Sequence, residues 1–161
     1  MDDAVYERFD TGEGFQAAVD RILQQPGREL RIFDPDGAAL RLNDSGRIGC
    51  LERFLQSSRT RRLYLVLHDP NHVQRHCPRM MSLLARYSHA IQIHRTQEEI
   101  RELQDAFMVL DSAHYLRRPV AAFFRGAIGL ADENEALAMR ARFNEIWQAS
   151  YPAVSSTTVG L

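Results

Sequence analysis

The chain has 161 residues, with 45% apolar and 25% charged residues, a composition typical of a soluble globular domain with a real core. Its formal net charge of -1 provides no overall attraction to nucleic acid or to an anionic membrane, although local charged patches are compatible with it. No apolar run approaches the roughly 20 residues that a membrane-spanning helix needs.

Cysteine and arginine usage add two constraints. Cys50 and Cys77 match no metal-binding or redox spacing, and no secretory signal opens the sequence. We therefore interpret both as reduced, buried thiols and predict a cytoplasmic protein. The chain has twenty basic residues, all of them arginine, so no site can use a lysine amine. We attribute this bias to genome composition; the alternative is selection for bidentate arginine–phosphate contacts.

The first half of the chain alternates helical and strand patterns. Apolar residues at helical spacing predict a helix over 15–23, and Glu29 to Phe33 is typical of a short strand. Asp44 or Ser45 can cap a second helix. Arg62 to His68 is a near-continuous apolar run, which indicates a strand buried on both faces.

The middle of the chain predicts a broken helix and another strand. Asp69 followed by Pro70 is typical of a helix start, and Pro78 should break that helix into two pieces. Ala90 to His94 then alternates apolar and polar residues, which favours a strand.

The last third of the chain predicts consecutive strands and a final helix. Ala106 to Leu110 is the most apolar short run and should be a central strand, followed by candidate strands at His114–Arg117 and Val120–Phe124. Asp132 can cap the last helix, with Glu135 as its capping-box partner. The expected buried face of that helix comprises Ala136, Met139, Phe143, Ile146 and Trp147.

The order α-β-α-β-α-β-β-β-α predicts an α/β domain with a mixed β-sheet flanked by helices. No repeat or linker divides the sequence, so we predict a single domain over residues 1–152. Residues 153–161 carry no evident core residue, and we expect a disordered tail there.

The stretch from Gln104 to Asp111, QDAFMVLD, resembles the H-x-K-x4-D strand of the phospholipase D-like superfamily. Gln104 stands at the histidine position and Ala106 at the lysine position, and only Asp111 remains. The resemblance extends over about residues 28–150 and includes a small-residue turn after Arg125 and the pair Phe143 and Trp147 in the last helix. It implies a phospholipase D-like half-domain similar to the single-motif bacterial members.

That resemblance implies a lost activity. In catalytic members one histidine attacks phosphorus, another protonates the leaving group, and lysines hold the phosphate oxygens. Gln104 cannot act as a nucleophile or an acid, and Ala106 supplies no charge. None of the six histidines is followed two positions later by a basic residue, so the motif does not occur elsewhere in the chain. The resemblance also implies a homodimer, because the family site forms where two halves meet.

Our leading hypothesis is a non-catalytic, dimeric binding or scaffolding module without a cofactor, which binds a phosphate-containing ligand or a protein partner. Nucleic acid is a further candidate that the net charge does not support. The alternative is a phosphodiesterase, a nuclease or another enzyme that reuses a cleft around His76 and Asp111. The candidate ligand-binding or phosphate-binding residues are Gln104, Asp111, His76, Arg79 and Arg118.

Three of these features have simpler interpretations. Asp111 can accept backbone hydrogen bonds at a turn instead of contacting a ligand. His72 and His76 share one helix face, where they could bind a metal or form a solvated histidine face, and we favour the latter. The arginines around 59–62, 75–86 and 117–118 either converge on an anion or are dispersed surface charges. We favour dispersion, with Glu98, Glu99, Glu102 and Asp105 as offsetting charges.

Overall fold

A computed structural model describes residues 3–155, which form a single eight-stranded sheet with helices on both faces. The strands are β1 (Val5–Phe9), β2 (Glu29–Asp34), β3 (Arg62–Leu67), β4 (Ile91–Thr96), β5 (Ala106–Leu110), β6 (His114–Arg118), β7 (Gly126–Leu130) and β8 (Ser150–Val154). The helices are α1 (Gly12–Leu23), α2 (Ser45–Gln56), α3 (Asn71–His76), α4 (Pro78–Arg86) and α5 (Glu133–Gln148). Short 3-10 turns lie at Ala38–Leu40 and Glu98–Ile100.

The sheet is mixed, as the sequence predicts. Its order is β1-β7-β6-β5-β2-β3-β4-β8, in which β2, β3 and β4 run parallel and all other neighbours run antiparallel. The predicted central strand, β5, lies between β2 and β6. The last residues of β2, β3 and β4 therefore lie at the same edge as the first residue of β5 and the last residue of β6. We call this side of the sheet, where these strand ends meet, its carboxyl end, and the opposite side, at the other ends of the same strands, its amino end.

The helices begin where the sequence supplies caps. Thr11 Oγ1 accepts a hydrogen bond from Gly14 N at 3.0 Å, and Asp44 Oδ2 accepts one from Arg47 N at 2.9 Å. Asp132 caps α5 as predicted. Helix α3 begins one residue later than the sequence suggests, with Pro70 at the N-cap position.

Two apolar cores form because successive side chains of a strand point to opposite faces. Ile32 and Met108 belong to a core beneath helices α1–α4, whereas Phe33 and Phe107 belong to a second core beneath α5. Helix α5 contributes Phe143 to the second core. A sheet buried on both faces explains why β3 and β5 are apolar along almost their whole length.

The predicted strand at Val120–Phe124 is wrong. These residues form a turn after β6, where Ala121 N donates to Gln104 O at 2.7 Å and Phe123 N donates to Val120 O at 3.0 Å. The third consecutive strand is β7 instead, in the segment that the sequence suggested was a small-residue turn. Glycine is required in β7 because a Cβ at Gly126 would lie 1.9 Å from Arg117 O.

Both edge strands were also missed. Strand β1 has a mostly exposed pattern, so it lacks the apolar signal of a core strand. Strand β8 continues through Pro152 and pairs Val154 with Ile93. Ala153 and Val154 thus belong to the sheet, and the boundary of the predicted disordered tail falls too early. Residues 156–161 of that predicted tail lie outside the described residues.

Within residues 3–155, no helix is long and apolar enough to cross a membrane.

The stacked pair His94 and Trp147 should make stability depend on pH. Their ring centroids lie 3.5 Å apart, and His94 Nδ1 lies 2.8 Å from Ser150 Oγ. Burial lowers the pKa of His94 below its ordinary value of 6.5, so the unfolded chain binds a proton more readily than the folded one. This contribution to folding is complete above about pH 6.5 and decreases as the pH falls towards the folded-state pKa.

We expect His94→Phe, which keeps an aromatic ring on Trp147, to flatten the decrease in unfolding free energy between pH 7 and pH 5. Urea denaturation at several pH values measures this change. An equally steep pH dependence in the variant would show that His94 is not the responsible group.

Candidate functional site

Gln104 and Ala106, which stand where the resembled H-x-K-x4-D motif has histidine and lysine, lie at the carboxyl end of the sheet. Ala106 is the first residue of β5; it is buried and pairs across the strands with Arg118, the last residue of β6. Gln104 lies two residues before β5 and is exposed, and its carbonyl oxygen anchors the turn after β6 through Ala121 N. The lysine position therefore holds a buried methyl group, and the histidine position holds an exposed amide.

A buried ion pair occupies this end of the sheet. Arg118 Nη2 donates to Asp34 Oδ1 at 2.5 Å, and the two side chains are only 4% and 2% exposed. The other carboxylate oxygen of Asp34 accepts hydrogen bonds from Gly37 N at 2.7 Å and from Asp36 N at 3.3 Å. The turn that follows β2 thus surrounds the carboxylate with donors.

The guanidinium of Arg118 is held on its other sides as well. Its Nη1 donates to Ala121 O at 2.8 Å, and its central carbon lies 4.5 Å from the ring centroid of Phe15. Gln104 and Arg118 are therefore linked through the same residue, Ala121. This arrangement fixes the cation against the sheet rather than presenting it to a ligand.

Burial is the largest influence on both members of the pair. It raises the pKa of Asp34 and lowers the pKa of Arg118, while attraction between the two groups opposes each shift. Hydrogen bonds from the N–H groups of Gly37 and Asp36 also favour the carboxylate. Each charge consequently depends on its partner to remain ionised in a poorly solvated position.

The space around this pair consists of a small cavity and two open grooves. The cavity borders Ala106 and has a volume of about 10 Å³, at most room for one water molecule. A groove of about 540 Å³ lies on the α1 side, between the turn after β2 and the turn at Ala121. A groove of about 370 Å³ lies on the α5 side, between β5, β6 and α5.

The groove on the α5 side has a polar rim and an apolar floor. One rim carries the ion pair of Arg117 and Glu135 at 3.0 Å, and the other carries that of Arg142 and Asp105 at 2.8 Å. The floor includes Phe107, Ala138 and Met139. Such a groove can accept an apolar group flanked by polar or charged groups.

Asp111 lies at the amino end, a full strand length from Ala106. Its Oδ1 accepts hydrogen bonds from Arg28 N and Glu29 N, both at 2.9 Å, and its own N donates to Glu29 O at 2.9 Å. Its φ of 55° places it in the left-handed region that aspartate tolerates at turns. The interpretation as a backbone hydrogen-bond acceptor therefore fits its geometry, although its partners begin β2 rather than lying in its own turn.

His76 and Arg79 lie near the break between α3 and α4, and both are exposed. The rings of His72 and His76 lie 5.4 Å apart, and residues 3–155 contain no group of three His, Cys, Asp or Glu side chains that could hold a metal. Arg79 N donates to Asn43 Oδ1 at 3.0 Å, and Arg79 Nη1 donates to Asn43 O at 2.9 Å.

The five predicted site residues do not form one site. Gln104 and Arg118 share the carboxyl end, whereas Asp111 lies at the amino end. His76 belongs to α3, which follows the carboxyl end of β3, so no common cleft joins it to Asp111. The predicted site residues also did not include Asp34, which ends β2 directly after the predicted strand Glu29–Phe33. An acidic residue ending a buried strand was the available signal, but its partner is 84 positions away in the chain.

Comparisons with solved structures identify the fold. Nuc from Salmonella typhimurium, a phospholipase D family member, matches with a TM-score of 0.68 and 11% identity over 95% of this chain and 100% of Nuc. NucT from Helicobacter pylori matches with a TM-score of 0.64 and 9% identity over 94% of this chain and 100% of NucT. The protein therefore has a phospholipase D-like half-domain fold.

The archaeal chromatin protein TrmBL2, described as showing a novel mode of DNA binding, matches with a TM-score of 0.66 and 12% identity. The match covers 92% of this chain and 54% of TrmBL2, so this chain spans about half of that protein. No curated protein sequence matches this chain. A family profile does match residues 11–156, and the chain belongs to that family, described as Domain of unknown function (DUF7931).

Breaking the buried ion pair should destabilise the protein strongly. We expect Arg118→Met or Asp34→Asn alone to lower the free energy of unfolding by about 3–5 kcal/mol, because each leaves one buried charge without its partner. The double variant should lose clearly less than the sum of the two losses. Chemical denaturation of all four proteins measures this coupling.

The neighbouring pair of Arg117 and Glu135 provides a matched control, since its side chains are 38% and 41% exposed. Arg117→Met and Glu135→Gln should each cost less than about 1 kcal/mol. Additive losses at Arg118 and Asp34 would mean that the buried pair has no special energetic role.

Proposed function

We propose that this protein is a non-catalytic phospholipase D-like domain that forms a homodimer and acts as a binding or scaffolding module. The observation that carries this proposal is the replacement of both reactive groups at the carboxyl end. Gln104 offers only an amide and Ala106 only a methyl group. Arg118, which pairs across the strands with Ala106, is neutralised by Asp34 and held by Ala121.

An apolar surface supports dimerisation through the same end. The turn after β6 exposes Val120 by 40%, Phe123 by 64% and Phe124 by 41%. Clustered apolar side chains on a protein surface frequently mark interaction sites. The family resemblance implies that two halves meet where the catalytic residues would lie, which is the end that carries this turn.

The two grooves at the carboxyl end provide the binding surface of the proposed module. Gln104 is the predicted site residue that we retain as a ligand contact, because its amide is exposed there. A ligand in the α5-side groove would meet an apolar floor between two ion pairs, which suits a protein segment or a small phosphate-bearing molecule. TrmBL2 supports a binding role for the fold, since it is described as a DNA-binding chromatin protein.

We further propose that the protein is bacterial and works in the cytoplasm. Cys50 and Cys77 are both free thiols in the structure, which suits a reducing compartment. The bacterial origin follows from the family resemblance of the motif strand.

The purified protein should not hydrolyse phosphodiesters. We expect no turnover of bis-p-nitrophenyl phosphate or of a fluorescent oligonucleotide above the buffer rate, because neither Gln104 nor Ala106 can perform the family chemistry. Turnover that persists through several purification steps, and that changes when Gln104 or His76 is substituted, would show an enzyme instead.

The dimer should depend on the apolar turn. We expect sedimentation velocity to show a dimer for the wild type, and Phe123→Ser to shift the protein towards monomer because it removes the most exposed aromatic side chain of the turn. Leu137→Ser is the matched control, since Leu137 is 57% exposed on α5, outside the turn. A monomeric wild type, or equal effects of both substitutions, would refute dimerisation through this turn.

A further inference from the structure

Two loops form a basic surface at the amino end of the sheet, opposite the carboxyl end that holds Ala106 and Arg118. Residues 24–28 connect α1 to β2, and residues 57–61 connect α2 to β3. Arg62 N donates to Arg28 O at 3.0 Å, which places the loops side by side. We call this surface the basic edge, and its arginines are Arg28, Arg53, Arg59, Arg61 and Arg62.

The side chains of the basic edge have no carboxylate partner among the described residues, although the Asp111 carboxylate lies beside them and accepts a hydrogen bond from Arg28 N. The described part of the chain contains no ion pair between any of these five arginines and a carboxylate. Their side-chain contacts are with neutral atoms: Arg53 Nη2 with Cys50 Sγ at 3.3 Å, Arg61 Nε with Ser57 Oγ at 3.0 Å, and Arg62 Nη1 with Arg59 O at 2.9 Å. None of these contacts places a negative charge against the guanidinium groups.

The overall charge of -1 conceals this edge because, among the described residues, no acidic side chain forms an ion pair with its five arginines. Glu98 and Glu99 follow β4 at the carboxyl end. At the amino end, Glu29 pairs with Arg31 at 2.6 Å, and Asp111 accepts two backbone hydrogen bonds. Of the acidic residues that the sequence analysis expected to offset the arginines, Glu98 and Glu99 therefore lie at the opposite end of the sheet from the basic edge, and Asp105 pairs with Arg142.

The basic edge borders a groove of about 420 Å³ between its two loops. Arg53 and Arg61 line the groove, together with the apolar side chains of Leu23, Pro26 and Phe54. Pro26 is exposed and Phe54 is half-buried, so both offer apolar surface to an occupant. The groove thus combines positive charge with a surface on which a planar ring can rest.

We propose that the basic edge binds single-stranded nucleic acid. A single phosphate group is bound by one or two arginine side chains. Five guanidinium groups without a carboxylate partner, spread along the basic edge, instead suit the successive phosphates of a nucleic-acid chain. A groove with an aromatic and apolar wall suits a base that is free to leave a stack. The site lies at the opposite end of the sheet from Ala106 and from the proposed dimer contact, so it is independent of both.

Fluorescence anisotropy with a labelled 20-nucleotide oligothymidine, at NaCl concentrations between 50 and 200 mM, tests this site. We expect binding that weakens linearly on a log–log plot against salt. Arg59→Gln/Arg61→Gln should weaken binding by about tenfold or more, and should reduce the salt slope by about 1.4 because two phosphate contacts are lost.

Arg41→Gln/Arg75→Gln is the matched control, because it removes the same charge from exposed arginines outside the basic edge. It should change affinity by less than about twofold. Equal thermal melting curves for the two double variants would show that neither effect is due to unfolding.

Any of three results with oligonucleotides would overturn the site: no binding of the wild type at 50 mM NaCl, equal losses in both double variants, or tighter binding to a duplex of the same length. Sedimentation with phosphatidylserine vesicles, in place of oligonucleotide binding, would also overturn it and would identify a lipid phosphate as the ligand. Because Phe123→Ser leaves the basic edge intact, its retained oligonucleotide binding would separate this site from the proposed dimer.

Discussion

The buried ion pair of Arg118 and Asp34 joins the two halves of the sheet at its carboxyl end. Asp34 ends β2 and Arg118 ends β6, and β5 lies between them with only the methyl group of Ala106 at that level. A lysine at position 106 would add a second cation to a space that has room for one water molecule. An alanine at position 106 is therefore physically compatible with the closed ion pair, and a lysine introduced there would disturb that pair.

Much of this fold is readable from the sequence because its central strands are buried on both faces. The apolar runs of β3 and β5 and the cap at Asp132 all predicted the correct elements. The edge strands β1 and β8 were missed because exposure on one face removes the apolar signal. Strand β7 was missed for a different reason: Gly126 is required by close approach to Arg117 O, and glycine in isolation is typical of turns.

The candidate site was harder to predict from the sequence than the fold, because its geometry depends on contacts between residues that are far apart in the sequence. The motif frame located Gln104 and Ala106 correctly at one end of a central strand. It also suggested that Asp111 belongs with them, although a strand places its two ends at opposite edges of the sheet. Asp111 has a structural role that involves no reaction, because its carboxylate accepts hydrogen bonds from Arg28 N and Glu29 N at the start of β2. Asp34 could be found only once the pairing of β2 with β5 was known.

Net charge was the least informative sequence property. The formal value of -1 averages the arginines of the basic edge, which form no ion pair among the described residues, with the acidic residues and ion pairs of the rest of the protein. At physiological ionic strength, charges separated by more than about 8 Å are largely screened, so the acidic residues beyond the far end of a strand do little to neutralise the basic edge. An anion approaching the loops at 24–28 and 57–61 therefore experiences the local arginines rather than the charge of the whole protein.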